Sequence, residues 1–267
     1  ELGTNWEKEM MALNEQAPTI LRANSLKTSA KHLIEELKHE NVESFTINGF
    51  KDAVQLEEKK NVFLTSAFKD GLFEVQDAGS QKIAEFLEVK PGMRVVDACA
   101  GAGGKTLHLA AMMENKGQII AMDIHGWKLT ELKRRAKRAG AHNIETREIT
   151  DTKVIKRLHE KADRLLIDAP CSGLGVLKRN PDSKWKIDQD FIDRIKKEQQ
   201  QILQDYSKII RKGGKLVYAT CSILPSENNE QVAEFLKNNP DFKLVKDEKV
   251  MPSSGFDGFY MALIERI

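Results

Sequence analysis

Little in this sequence could crosslink the chain or anchor it. Only three cysteines occur in 267 residues, Cys99, Cys171 and Cys221, with no Cys-x-x-Cys pair and no paired histidines beside them. That argues against a disulfide scaffold and against a zinc site, so no metal is assigned. No run approaches the roughly 18 consecutive apolar residues a membrane span needs, and Glu1 to Met11 is charged where a signal peptide would be apolar. These absences predict a cytoplasmic protein with no membrane partner. Aromatic residues number only 17, too few to argue for a broad stacking platform. Excess charge is small too, with 42 Lys and Arg against 40 Asp and Glu. It is unevenly placed, however. Residues 1–90 hold 11 basic and 16 acidic residues, which leaves 31 and 24 for residues 91–267, or −5 against +7. A positive balance in the larger segment suits a polyanionic partner.

What is present from Pro91 onward is an alternation of strand and helix. Met93–Asp97, Gln118–Asp123, Ile144–Glu148, Asp163–Asp168 and Lys215–Ala219 read as strands, and Phe242–Val245 and Phe259–Glu265 as the last two. Between the second and third, Leu129, Leu132, Ala136 and Ala139 recur on one helical face stopped by Gly140, and the charged faces of that helix read as solvated. This rhythm predicts an α/β fold, a doubly wound, mostly parallel Rossmann-like sheet. Ligands of such sheets bind beyond the carboxyl ends of the strands, where Asp97, Cys99, Asp123, Asp151, Asp168, Cys171 and Cys221 fall. Residues 19–75 read as a small α+β unit, with Thr19–Ala23 and Ser44–Ile47 extended and Ser29–His39 helical. Residues 1–75 are taken as an N-terminal domain that begins in the tail of a helix, and 76–267 as the catalytic domain. With no initiator methionine, an upstream portion is expected.

Three segments carry chemistry. The first, Asp97-Ala-Cys99-Ala100-Gly101-Ala102-Gly103-Gly104-Lys105-Thr106, follows a strand and opens a helix, so glycines and free N–H groups converge on a ligand. Asp123 ends the next strand, where a carboxylate holds the ribose of an adenosine cofactor. Nicotinamide dinucleotides and S-adenosylmethionine fit equally to this point. The second segment is Asp168-Ala-Pro-Cys171-Ser-Gly, and the third is Tyr218-Ala-Thr-Cys221-Ser. If their strands are neighbours, about 4.8 Å apart, both thiols rim one pocket. A thiolate adding to carbon 6 of a pyrimidine makes carbon 5 electron-rich enough to take a methyl group, which is covalent catalysis by an activated cysteine. A second acid or base is then needed to release the product. Lys105 or a helix dipole would favour the thiolate.

These motifs, with Gly255-Phe-Asp-Gly-Phe-Tyr260, resemble the Sun or Fmu-type (RsmB-like) RNA cytosine-5 methyltransferases, from about Pro18 to the C-terminus. Arg22-Ala-Asn24-Ser resembles the opening of that family's RRM-like domain, and Gln76-Asp77-Ala-Gly-Ser80 its junction with the catalytic domain. The resemblance implies that Cys221 attacks the base and Cys171 assists release, with Asp168 and Lys105 beside them. It implies S-adenosylmethionine held by Cys99 to Lys105, with Asp123 on its ribose, Asp151 near its adenine and Asp168 near its methionyl amine. The family usually has proline where Ala102 stands, which predicts a looser loop that keeps its donors. Lys128 also departs from the family's usual arginine. A monomer acting on RNA, more commonly 16S ribosomal than transfer RNA, is the implied arrangement. Lys178 to Lys186, with Trp185 embedded, suits phosphate contact and stacking.

Other readings leave residues unexplained. A DNA cytosine-5 enzyme has no use for the Thr-Cys221-Ser element, and an amino methyltransferase would end its fourth strand in Asn or Asp-Pro-Pro-aromatic. A nicotinamide dehydrogenase leaves both cysteines idle, and an RNA-binding assembly factor with a relic pocket does not need them intact.

Overall fold

The structure, a computed structural model, describes residues 1–267. A short helix α1 (Trp6–Leu13) leads into β1 (Ile20–Ala23), α2 (Ala30–His39), β2 (Ser44–Thr46), β3 (Ala53–Leu56), α3 (Ser66–Lys69) and β4 (Phe73–Val75). The four strands form an antiparallel sheet of order β2-β3-β1-β4. Ser29 caps α2 by accepting from the His32 N–H, and the apolar face of that helix, Leu33 and Leu37, packs with Leu21, Val54 and Phe73.

After α4 (Ala78–Phe86) come β5 (Arg94–Asp97), α5 (Gly104–Met112), β6 (Gln118–Asp123), α6 (Gly126–Ala139), β7 (Ile144–Glu148), α7 (Thr152–Lys156) and β8 (Ala162–Asp168). The chain ends with α8 (Gln189–Tyr206), β9 (Ile210–Thr220), α9 (Asn229–Asn238), β10 (Phe242–Val250) and β11 (Phe259–Arg266). Seven strands pair in the order β10-β11-β9-β8-β5-β6-β7, and only β11 runs against the others, pairing antiparallel with both β9 and β10. Val95 and Val96, or Leu216 and Val217, bury into opposite cores, so both faces of the sheet are covered as a parallel sheet requires. Chain order reverses between β5 and β8, which puts the ends Asp97 and Asp168 at the switch point where such sheets bind ligands. β8 and β9 are neighbours, with Asp168 opposite Ala219, as the pocket argument requires.

The sequence reading of α6 needs correcting. Leu129, Leu132, Ala136 and Ala139 are buried as expected, but the opposite face is not simply solvated. Arg135 and Arg138 both bond the buried Glu74 of β4, and Asn24 Nδ2 and Lys27 Nζ donate to the carbonyls of Ala139 and Arg138. The helix is the platform on which the N-terminal sheet docks.

Candidate active site

The glycine loop between β5 and α5 turns through two left-handed residues, Gly101 at φ +55° and Gly103 at φ +89°. A side chain at Gly103 would also meet Leu132, whose Cγ lies 2.5 Å from where a Cβ would stand. Gly101 faces open space instead, and its N–H donates to Asp123 Oδ2 at 2.9 Å. The other Asp123 oxygen accepts from the His125 N–H at 2.9 Å. The adjoining crevice, about 400 Å³, is lined by the carboxylates Asp123, Asp168 and Glu198 and by the largely apolar Ile124, Ile149, Ile202 and Tyr206. That set fits an adenosyl cofactor: a carboxylate for a ribose diol, an apolar slot for a base, a second carboxylate for a cationic tail, and a glycine with no side chain in the way.

Cys99 lines the crevice, and burial pushes its thiol well up. Ala100, Ala102, Gly103 and Gly104 shape the loop from behind, without lining the crevice. Asp151 lies outside it as well: Oδ1 caps α7 by accepting from the N–H groups of Lys153 and Val154, and the residue borders a neighbouring cavity that shares Ile149, Ile202 and Tyr206. Asp97, at the root of the loop, accepts from the Thr106 hydroxyl at 2.7 Å while its Oδ1 has no partner. Burial raises its carboxyl to about 7.

Beyond the crevice, Cys171 Sγ and Cys221 Sγ are 3.2 Å apart. The Cys221 N–H also points to Cys171 Sγ, at 3.3 Å. The two thiols are inequivalent. The hydrogen bond from Cys171 holds Cys221 below the ordinary thiol value against the effect of burial, and Lys105 helps. The same bond, together with burial, pushes Cys171 well up. Lys105 Nζ, raised by Asp168 despite its own burial, pairs with Asp168 Oδ2 at 2.6 Å. Cys221, Cys171, Asp168 and Lys105 therefore form one constellation.

Two further residues, not singled out from the sequence, hold this pair. Glu227, fully buried, accepts from the Ser172 N–H at 3.0 Å and the Ser172 hydroxyl at 2.8 Å. Asn228 donates to the Ser222 carbonyl at 2.9 Å and accepts from the Thr220 hydroxyl. Adjacent residues thus clamp the two cysteine loops, one each. Their place directly after Pro225 in a short turn has no periodic signature; only the polarity of a segment destined for burial hinted at it.

The basic segment after Cys171 divides. Arg179 is bound to Asp257 and Asp77, and the Lys178 ammonium donates to the Pro252 carbonyl with its side chain almost wholly buried, so neither is a free phosphate ligand. Trp185 is 80% exposed, with Lys184 Nζ 5.2 Å from its ring centroid. No helix is long and apolar enough to cross a membrane.

Known proteins resemble this chain along most of its length. Residues 84–264 match a family model described as 16S rRNA methyltransferase RsmB/F, and residues 1–63 match the ferredoxin-like domain of RsmF/B-like methyltransferases. The ribosomal RNA small subunit methyltransferase B of Proteus mirabilis is 34% identical over 98% of this chain and 62% of its own length. A probable ribosomal RNA small subunit methyltransferase B of Bacillus subtilis is 36% identical over 84% of this chain and 50% of its own. The chain thus spans between half and two thirds of the length of these relatives. A crystal structure of a methyltransferase homolog from Pyrococcus horikoshii, 27% identical, aligns with a TM-score of 0.87 over 99% of this chain and 92% of that one.

Proposed function

Since the chain belongs to the RsmB/F family of 16S rRNA methyltransferases, which depend on S-adenosylmethionine, we propose that it methylates carbon 5 of a cytosine in small-subunit ribosomal RNA through a covalent adduct on Cys221. The observation that carries this reading is the inequivalent thiol pair, 3.2 Å apart and flanked by Lys105 and Asp168. S-adenosylmethionine held in the crevice between Asp123 and Asp168 supplies an electrophilic methyl group. The chain's own residues do the rest. Cys221, the thiol more easily ionised, forms a carbon–sulfur bond to carbon 6 of the base, and the displaced π electrons make carbon 5 nucleophilic. Cys171 keeps its proton while Cys221 is a thiolate. Once Cys221 is bonded to carbon and carbon 5 has formed its bond to the methyl group, that thiolate is gone, and with it the main cause that raises Cys171, so Cys171 releases its own proton to solvent and as a thiolate takes the proton from carbon 5. The carbon–sulfur bond then breaks and the thiolate returns to Cys221. Asp168 contacts the target cytosine or the methionyl amine, and Lys105 keeps the negative charge of the site balanced.

A loop or flipped-out cytosine is the required substrate, because a stacked base hides both faces from a thiol. The exposed Trp185 supports an RNA partner by offering a stacking surface. The test is transfer of tritiated methyl from S-adenosylmethionine to unmodified total RNA, with nucleoside analysis and Cys221→Ala as control. Label in 5-methylcytidine of 16S RNA that vanishes in the variant is the expected result. Label in transfer RNA would move the substrate; label in another nucleoside would overturn the reaction; cofactor binding with no label would favour a non-catalytic RNA-binding role.

A further inference from the structure

The glycine loop is gripped from behind by two arginines. Arg22 of β1, 2% exposed, donates from Nη1 to the Gly104 carbonyl at 2.7 Å and to the Gln76 side chain. Arg135 of α6 donates from Nη1 to the Ala102 carbonyl at 2.8 Å. The rest of the Arg135 guanidinium is fixed by Glu74 of β4, whose Oε2 accepts from Nη2 at 2.8 Å, while Glu74 Oε1 accepts from Arg138. An arginine in the apolar run Ile20-Leu-Arg-Ala23, kept charged although burial lowers it to about 10, is costly to maintain without a task. Both carbonyls belong to the segment whose other side carries Gly101 and its bond to Asp123.

We propose that the N-terminal sheet is a working part of the cofactor site: Arg22 directly, and Glu74 through Arg135, are positioning residues that set the glycine loop for cofactor binding. The inference rests on the reading of the crevice as the S-adenosylmethionine site. The sheet that presents Arg22 cannot swing away from the catalytic domain without releasing the loop.

The test is calorimetric titration of S-adenosylhomocysteine into the wild-type chain, Arg22→Met, Arg22→Lys, Arg135→Met and Lys27→Met, with melting temperatures measured alongside. Lys27 bonds the Arg138 carbonyl at the same interface without reaching the loop, so its variant isolates general docking. The expected result is a Kd raised about tenfold in Arg22→Met and Arg135→Met, the scale of one hydrogen bond from a charged donor. Arg22→Lys should recover part of the loss, and Lys27→Met should lower the melting temperature with Kd within twofold of wild type. If Arg22→Met does not fold, Arg135→Met carries the comparison, because its guanidinium lies nearer the surface. Unchanged Kd in folded Arg22→Met and Arg135→Met would overturn the proposal, as would an equal loss in Lys27→Met. Failure of the wild type to bind would instead refute the cofactor reading of the crevice.

Discussion

Two thiols in contact cannot both ionise cheaply: the first thiolate is stabilised by its neighbour's proton, and the second would face a like charge. The surroundings favour Cys221 as the one to go first, since Lys105 acts to stabilise its thiolate and not that of Cys171. Cys221→Ala should therefore abolish methyl transfer. Cys171→Ala should permit attack and leave the protein bound to RNA, visible as an SDS-stable band. Normal turnover by Cys171→Ala, with no such band, would refute this division of labour. Asp97 gives a pH signature of another kind. Its folded value, about 7, lies above the ordinary 3.8, so the folded state holds a proton that the unfolded state releases. The associated stability is complete below about pH 4 and is lost as pH rises through 7. Comparison of melting curves should show wild type losing stability relative to Asp97→Asn across that window; parallel curves would mean that the carboxyl is not raised. Asp123→Ala should weaken S-adenosylhomocysteine binding by roughly 1.5 to 3 kcal/mol, as expected for hydrogen bonds to a charged group. Unchanged affinity by calorimetry would remove Asp123 from the ribose.

At the scale of elements, the strands that carry chemistry were the legible ones. β6 and β7 have the bounds their apolar and β-branched runs predict, and the strand-end carboxylates Asp97, Asp123 and Asp168 share one edge of the sheet, the first and last at the switch point, because the alternation fixes which ends share a side. Legibility failed where the sheet partner, rather than the local pattern, decides. Lys246-Asp-Glu-Lys249 looks like a charged loop, yet β10 continues through it to Val250, paired to β11 along its length. As the outermost strand it exposes those charges, which also protect the edge from pairing with another chain. Likewise Gly213-Gly214, a pair that ordinarily marks a turn, lies inside β9, which starts at Ile210 rather than at Lys215 and is irregularly paired to β8 there. The clamp of Glu227 and Asn228 was invisible for a related reason: its partners Ser172, Ser222 and Thr220 come from two loops brought together only by the β8–β9 pairing. Glu227→Ala should leave the Ser172 N–H unpaired and its hydroxyl with Ser222 Oγ alone, at a cost of about 1 to 3 kcal/mol. It should also slow iodoacetamide reaction at Cys221, because the thiol that donates to it is no longer held in place. Glu227→Gln, which keeps an acceptor, should recover much of that rate; an Ala variant that melts earlier but alkylates at the wild-type rate would show that the clamp is only structural.

For the whole molecule, the division of charge has to be read with the ion pairs in hand. The segment 91–267 carries the surplus of basic residues, but part of it is committed internally, Arg135 and Arg138 to Glu74 and Arg179 to Asp77 and Asp257. These pairs tie the acidic N-terminal segment to the basic one, which is why the charge of each part misleads when it is taken as a measure of RNA affinity. What remains for RNA in the segment after Cys171 is Lys184 and Lys186, both exposed and outside any ion pair, on either side of the exposed Trp185. The two kinds of cation should separate cleanly in filter binding to ribosomal RNA across a range of salt. Lys184→Ala removes a screened surface charge, so the slope of log affinity against log salt should fall by about 1 with the melting temperature unchanged. Trp185→Ala should cost roughly 1 to 3 kcal/mol at every salt concentration, because stacking releases no counterions. Arg179→Met should leave the slope untouched and lower the melting temperature, since Asp77 and Asp257 would lose the guanidinium that lies between them. Should Arg179→Met change the slope as Lys184→Ala does, Arg179 meets phosphate after all, and its pairing with Asp77 and Asp257 opens when RNA binds.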